Sequence, residues 1–498
     1  MTDKSSANAI ELDDARRVSE LLWLTLAILV CLRVFSRLVQ QSFFFDGTIY
    51  SSIARNLAEG IGSAWHLQFS KTLFPLFAEH PPLMMMIQSV GFRLFGDTTL
   101  VDRGFTLLTF LGSGVILLCI WRRLNEDDWV SRLAAPLALI FALIAGRVSW
   151  AFANGLLENL LIVFTSVAVL LVVEAYREAH VTSWMRRIGL MIAAATAVFL
   201  ALMTKGPVGL FPLATPGLYW LAFRRPSFSQ VLVDSIIILA VIAALFAVLW
   251  KFDGPREAVE RYWSIQILSS LSGERGNTSG GWSAARTLLR VNAYPLLITL
   301  GIFVWAWVSR NNVHRLRLRD VRSRRAIFLL LVGFSASLPL LVSPRVSSFY
   351  FNPSLLYFGA GLATLCVPLA ISLLSGVGSS PMIWTRRGLY TGLVASLVYV
   401  ASLTGSLGRD GPQILDAQKI ASYMCSSDRL CSRVISTCGE VWQNWALHAY
   451  LQRSHKLSLA PVLTDDMNYL LADESCDVDA SGFKDVGIGL SQYRLLQR

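Results

Sequence analysis

Charge is scarce in this chain. Only 15% of its 498 residues are Asp, Glu, Lys or Arg, where an ordinary soluble domain carries about 25%. That scarcity excludes a disordered protein and a simple cytosolic enzyme. Cysteine is also sparse. Seven thiols are spread along the sequence without a CxxC pair, so neither a zinc ribbon nor a thioredoxin-type motif is present, and this is no disulfide miniprotein. HExxH is missing, and no DxD-type carboxylate cluster stands at the candidate site described below. There is no internal repeat and no low-complexity tract.

Apolar residues fill the gap. They make up 54% of the chain, and the mean hydropathy is +0.53. A spanning helix needs about 20 mostly apolar residues. About eleven runs qualify: 21–40, 104–121, 133–150, 156–175, 187–204, 207–223, 231–250, 291–309, 326–342, 353–373 and 384–405. The expected fold class is therefore an α-helical polytopic membrane protein. The first run follows Arg16 and Arg17 and has no small-residue cleavage site, so it reads as a retained anchor.

The net charge of +11 invites a nucleic-acid reading, which the placement of the charge rejects. Alternate links carry the basic residues: Arg122, Arg123 and Arg132; Arg177, Arg186 and Arg187; Arg224 and Arg225; the Arg310–Arg325 run; Arg386 and Arg387. Lys and Arg accumulate on the cytoplasmic side, so the N-terminus is expected inside. The stretch 81–97 is apolar but short and contains Arg93. Counting it as a span would invert every later link, so it is expected as a helix lying at the outer surface or re-entering it.

The division expected is a membrane domain, 1–405, with outer loops at 41–103 and 251–290, and a small α/β domain, 406–498, on the outer side. Four of that domain's cysteines, Cys425, Cys431, Cys438 and Cys476, permit two disulfides in three connectivities. Cys31, Cys119 and Cys366 fall in apolar runs and read as packing residues.

Several polar groups collect at or above the outer face. Asp46 follows three phenylalanines where the chain leaves the bilayer, and the residues around Tyr50 form a short amphipathic helix ending near Gly60. Asp46 alone could simply open that helix. Glu79 and His80 precede two prolines; Glu158 and Lys205 stand at the outer ends of spans; Arg275 lies in the long outer loop; Arg345 and Tyr350 lie in a late one. Each basic residue alone could contact lipid at the interface. Together, carboxylates and cations at a lipid boundary suit a substrate with an anionic phosphate and a hydrocarbon tail. Cations would hold the leaving phosphate, and a carboxylate would take a proton or face developing positive charge.

In order, FDGTIYSSIARNLAEG, EHPPL, FGDTTLVDR, LLEN, TKGP and SFYFNPSLL resemble the polyprenyl-phosphate-sugar-dependent glycosyltransferases of GT-C fold. The branch is the aminoarabinose and protein O-mannosyl transferase superfamily. The resemblance is best over about 40–210 and weaker to about 360. It implies that Asp46 is the catalytic carboxylate and Glu158 a second acid in the pocket. It implies donor-phosphate contacts from His80, Arg275 and Tyr350; from the residues themselves, Lys205 and Arg345 are expected to help neutralise the phosphate, and Glu79 and Tyr50 to line the pocket. It also implies an inverting transfer in a bacterial inner membrane, to lipid A, lipopolysaccharide or another periplasmic-face acceptor, or alternatively to protein. His80 stands where the aminoarabinose enzymes usually have Lys, and Glu158 where Asp is common, which leaves the sugar open. No cofactor is required by the resemblance, although Glu79 and His80 leave room for a divalent ion. The rival from another class, a lipid-linked sugar transporter or flippase, would place polar groups at mid-bilayer on broken helices.

Overall fold

The computed structural model describes residues 2–177, 183–269, 281–309, 320–343, 346–375, 379–425, 433–462, 467–474, 476 and 482–498. Helices dominate up to residue 403, and a small sheet domain follows. Among the described residues, seven helices can cross a membrane by length and apolarity, or eight if the bent pair Trp282–Val291 and Ala293–Val308 is one span. This is a multi-pass membrane protein. The Leu157–Arg177, Val321–Leu341 and Asn352–Ser375 helices pack at the centre of the bundle.

Some expected spans take other shapes. The run 133–150 is three pieces, Trp129–Leu133, Ala135–Ile144 and Val148–Phe152. The break comes where the Gly146 N–H donates to the Val291 carbonyl, 2.7 Å away, so a second backbone crosses there. The pieces still carry the chain from Arg132 to Asn154, whose side chain accepts a hydrogen bond from the Phe44 N–H at the opposite face. The helical run Trp184–Phe223 doubles back at Gly206: Gly209 packs on the backbone of Ala201 and Leu202, and Tyr219 returns to the ring of Tyr176. The Ser379–Leu403 helix is 25 residues long but carries Arg386 and Arg387 and lies outside the seven apolar spans. The stretch 81–97 forms the helix Leu83–Phe95. At 13 residues it reaches about 20 Å, too short to cross.

The basic links gather at one end. Arg123 and Arg186 pair with Glu174, Arg177 with Glu126, Arg325 with Asp127, and Arg322 with Asp128. The other end carries the segment 41–103 and the sheet domain. The sheet runs in the order β2-β1-β3-β5-β4, with β1 Val434–Thr437, β2 Ser458–Ala460, β3 Tyr469–Ala472, β4 Lys484–Asp485 and β5 Arg494–Gln497. β1 pairs parallel with β2 and β3, whereas β5 pairs antiparallel with β3 and β4. Cys438 and Cys476 form a disulfide. Cys425 is also disulfide-bonded, and Cys431 lies outside the described residues.

The Phe45–Ala58 helix joins the two parts. It was expected to be amphipathic with a wet polar face. Instead it is buried almost all round, because its polar side meets the sheet domain. Arg55, 1% exposed, donates to the carbonyls of Gln452 and Arg453 at 3.1 and 2.8 Å. Arg453 in turn reaches Asp102 at 2.8 Å, Asp97 at 2.5 Å and the Ser51 hydroxyl at 3.0 Å. Tyr450 donates to Asp410 at 2.8 Å and accepts from the Phe43 N–H.

Removing one partner of a buried ion pair leaves an uncompensated charge, which costs about 3–5 kcal/mol. Arg453→Ala, which leaves the buried Asp102 carboxylate without its cation, is expected to cost that much in thermal unfolding of the purified protein, and Arg453→Lys less. A loss under about 1 kcal/mol in the alanine variant would show that this cluster does not hold the domain down.

Candidate active site

Asp46 lies in the first turn of the Phe45–Ala58 helix, where backbone N–H dipoles favour a carboxylate. Gly47 explains the neighbouring sequence. A Cβ there would fall 2.0 Å from the Asn154 carbonyl oxygen, so glycine lets this helix start rest directly on the turn that opens the Leu157–Arg177 helix. Tyr50 follows one turn after Asp46 and shares its face. Burial, and then the charges of Asp46 and Glu158, raise its pKa well above the usual tyrosine value. Tyr50 therefore keeps its proton.

Asp46, Tyr50, Glu79, His80, Lys205 and Tyr350 all line one cavity of ≈ 560 Å³. The His80 ring stands 5.7 Å from the Tyr50 ring. Lys205 ends the helix Trp184–Lys205. Its ammonium hydrogen-bonds the Glu158 carboxylate and sits 4.3 Å from the centre of the Tyr350 ring. Gly206 follows at φ +71°, and a Cβ there would meet the Tyr262 hydroxyl at 2.1 Å. Burial, then the charge of Glu79, pushes the Tyr262 pKa up.

Glu158 was expected as a second acid lining the pocket. It is 1% exposed and pairs with Lys205, itself 8% exposed. Arg275 and Arg345 lie outside the described residues. Sequence reasoning missed the aromatic wall. Phe74 stacks on Trp445 with ring centres 5.9 Å apart, and Phe45 lies 6.5 Å from the same indole. Trp445 comes from the sheet domain, so that domain helps to form the cavity. The signal was present in the WALHAYL run, an apolar helix start with a tryptophan at its head. Among the described residues, no three His, Cys, Asp or Glu side chains are grouped to hold a metal ion.

A second, apolar cavity of ≈ 390 Å³ adjoins the first, and Phe77 and His80 belong to both. Its walls include Leu202, Leu210, Ile242 and Phe246 of the membrane helices, with Tyr262 and Trp263 from the outer loop. A charged, hydrogen-bonding chamber thus continues into an oily groove.

No protein-family model matches the chain, and no curated protein matches it in sequence. Solved structures do match. The chain is similar to ArnT from Cupriavidus metallidurans bound to undecaprenyl phosphate, with a TM-score of 0.62 and 17% identity, covering 95% of this chain and 97% of that one. The apo state of the same protein gives 0.61 at 17% identity, with the same coverage. The Archaeoglobus fulgidus oligosaccharyltransferase gives 0.53 at 11% identity, covering 91% of this chain and 69% of that one. The chain has the GT-C fold. At these identities the likeness establishes architecture, so the chemistry is argued from the cavity.

If Glu158 serves Lys205, the two should be coupled. Lys205→Met is expected to destabilise the protein more than the double variant Lys205→Met/Glu158→Gln, with a coupling of about 0.5–3 kcal/mol in a thermal double-mutant cycle. Strictly additive losses would mean that the pair is not a unit.

Proposed function

We propose that this chain is an inverting glycosyltransferase that moves a sugar from a polyprenyl-phosphate donor to an acceptor at the outer face of the membrane. One observation carries the reading: a chamber with carboxylates and a lysine continues, at Phe77 and His80, into an apolar groove walled by membrane helices. That pairing matches a phosphate head on a hydrocarbon tail. The undecaprenyl phosphate bound to the structurally similar ArnT supports the same donor class.

In this reading the tail lies in the groove and the phosphate faces Lys205, His80 and the tyrosine hydroxyls of Tyr50 and Tyr350. Arg275 and Arg345 are proposed as further phosphate contacts. Asp46 accepts the proton of the acceptor hydroxyl as its oxygen attacks the anomeric carbon. The new C–O bond forms on the face opposite the leaving group, the sugar–phosphate C–O bond breaks, and lipid phosphate departs with the electron pair. Should the acceptor be a phosphate, Asp46 positions it and no base is needed. Lys205 meets the charge that grows on the leaving oxygen, in a site where low dielectric strengthens the attraction. Glu158 fixes the lysine and touches no substrate.

The proposed acceptor is lipid A or lipopolysaccharide, and the proposed setting is a bacterial inner membrane. The N-terminus and the arginine-rich links then face the cytoplasm, and the sheet domain, proposed as 406–498, faces the periplasm. The protein-acceptor alternative differs only in what enters beneath Trp445.

Mass spectrometry of glycolipids and glycoproteins from cells with and without the chain tests the reading. A sugar mass that disappears with the chain, and returns with the wild type, identifies donor class and acceptor together. Asp46→Asn is expected to insert and fold normally and to lower transfer about 10²–10⁴-fold, the usual contribution of a positioned base. Unchanged glycans without the chain, or normal turnover by the asparagine variant, would defeat the proposal or remove Asp46 from it.

A further inference from the structure

A second site lies at the other end of the bundle, where the membrane helices Ala15–Leu38 and Thr99–Leu124 meet the short helix Trp129–Leu133. A cavity of ≈ 620 Å³ opens there, lined by Arg16, Arg122, Arg123 and Arg132 with Glu126, Cys119, Trp129 and Leu133. Its walls are built firmly. The Ser19 hydroxyl donates to the Leu133 carbonyl at 2.8 Å, the Trp121 indole N–H donates to the Ser131 carbonyl at 2.7 Å, and Asp128 caps the short helix through the Ser131 N–H at 3.0 Å.

The charges do not balance. Glu126 pairs with Arg177, and Arg123 has Glu174 at 3.1 Å. Arg16, Arg122 and Arg132 are exposed to solvent, and none of the three makes an ion pair with a described residue. Three guanidiniums from three helices, none in an ion pair with a described residue, therefore line one hollow together with Glu126, the apolar Cys119 and Leu133, and Trp129. Guanidinium forks match phosphate oxygens in geometry. Tryptophan prefers the headgroup level, and basic hollows between membrane helices suit anionic lipid heads.

We infer that this cavity binds the phosphate headgroup of an anionic membrane phospholipid, with the acyl chains passing over Cys119 and Leu133. The site lies at the opposite end from the reactive cavity and does not depend on the proposed reaction. A soluble phosphate compound shares the same chemistry, but the apolar floor and the position at helix ends favour the lipid.

Native mass spectrometry of the full-length protein, released from nanodiscs of phosphatidylcholine with a minor fraction of phosphatidylglycerol, tests the inference. The wild type is expected to retain phosphatidylglycerol. Arg122→Gln/Arg132→Gln is expected to retain at least about tenfold less. Arg386→Gln, which removes a charge paired with Glu20 outside the cavity, is expected to behave as wild type. Millimolar glycerol phosphate or inorganic phosphate should not displace the lipid. Equal retention by the double variant, or an equal loss in Arg386→Gln, would overturn the site. Displacement by glycerol phosphate would overturn the lipid assignment in favour of a soluble ligand. If the double variant fails to insert, Arg16→Gln alone is read against the same outcomes.

Discussion

The arrangement turns on an ammonium ion kept at the edge of oil. Lys205 ends a membrane helix and would be costly there unpaired. Glu158, in the first turn of the adjacent helix, offsets that cost and points the charge between Tyr350 and the cavity. Gly206 then reverses the chain at a backbone angle that residues with a side chain rarely adopt. Because the pair is fixed between two packed helices, the cation is positioned before any ligand arrives. Such preorganisation is where electrostatic catalysis gains most.

The outer elements complete this floor. The Phe45–Ala58 helix rests on the Asn154 turn through Gly47 and brings Asp46 into the same cavity as the lysine. Its far side is gripped by the sheet domain through Arg55, Arg453 and Tyr450. That grip carries Trp445 to the cavity wall. The sheet domain thus contributes a wall of the cavity.

Much of this was legible in the sequence. Charge scarcity and the alternation of basic links located the bilayer, and the structure collects those arginines at one end. The shortness of 81–97, with Arg93 inside it, correctly argued against a span. Asp46, Glu79, His80, Lys205 and Tyr350 stand out in the sequence as polar residues at helix ends in an oily chain, and the structure brings them to one cavity. Other features depend on partners far away in sequence. Nothing local marks 133–150 as broken, since the break answers the crossing of Val291. The polar side of the Phe45–Ala58 helix reads as a wet face until Gln452 and Arg453, some 400 residues later, are seen to cover it. Glu158 reads as a pocket acid because its spacing from Lys205 says nothing of which one shields the other.

The account rests on a lipid phosphate in the charged chamber with its tail in the adjoining groove. Photo-crosslinking with a diazirine-bearing undecaprenyl phosphate, followed by peptide mass spectrometry, examines that placement directly. Labels are expected on the groove walls, at Leu202, Leu210, Ile242 and Phe246, and to fall when unlabelled undecaprenyl phosphate competes. Labels scattered over the bundle, or unaffected by the competitor, would contradict the placement and the mechanism built on it.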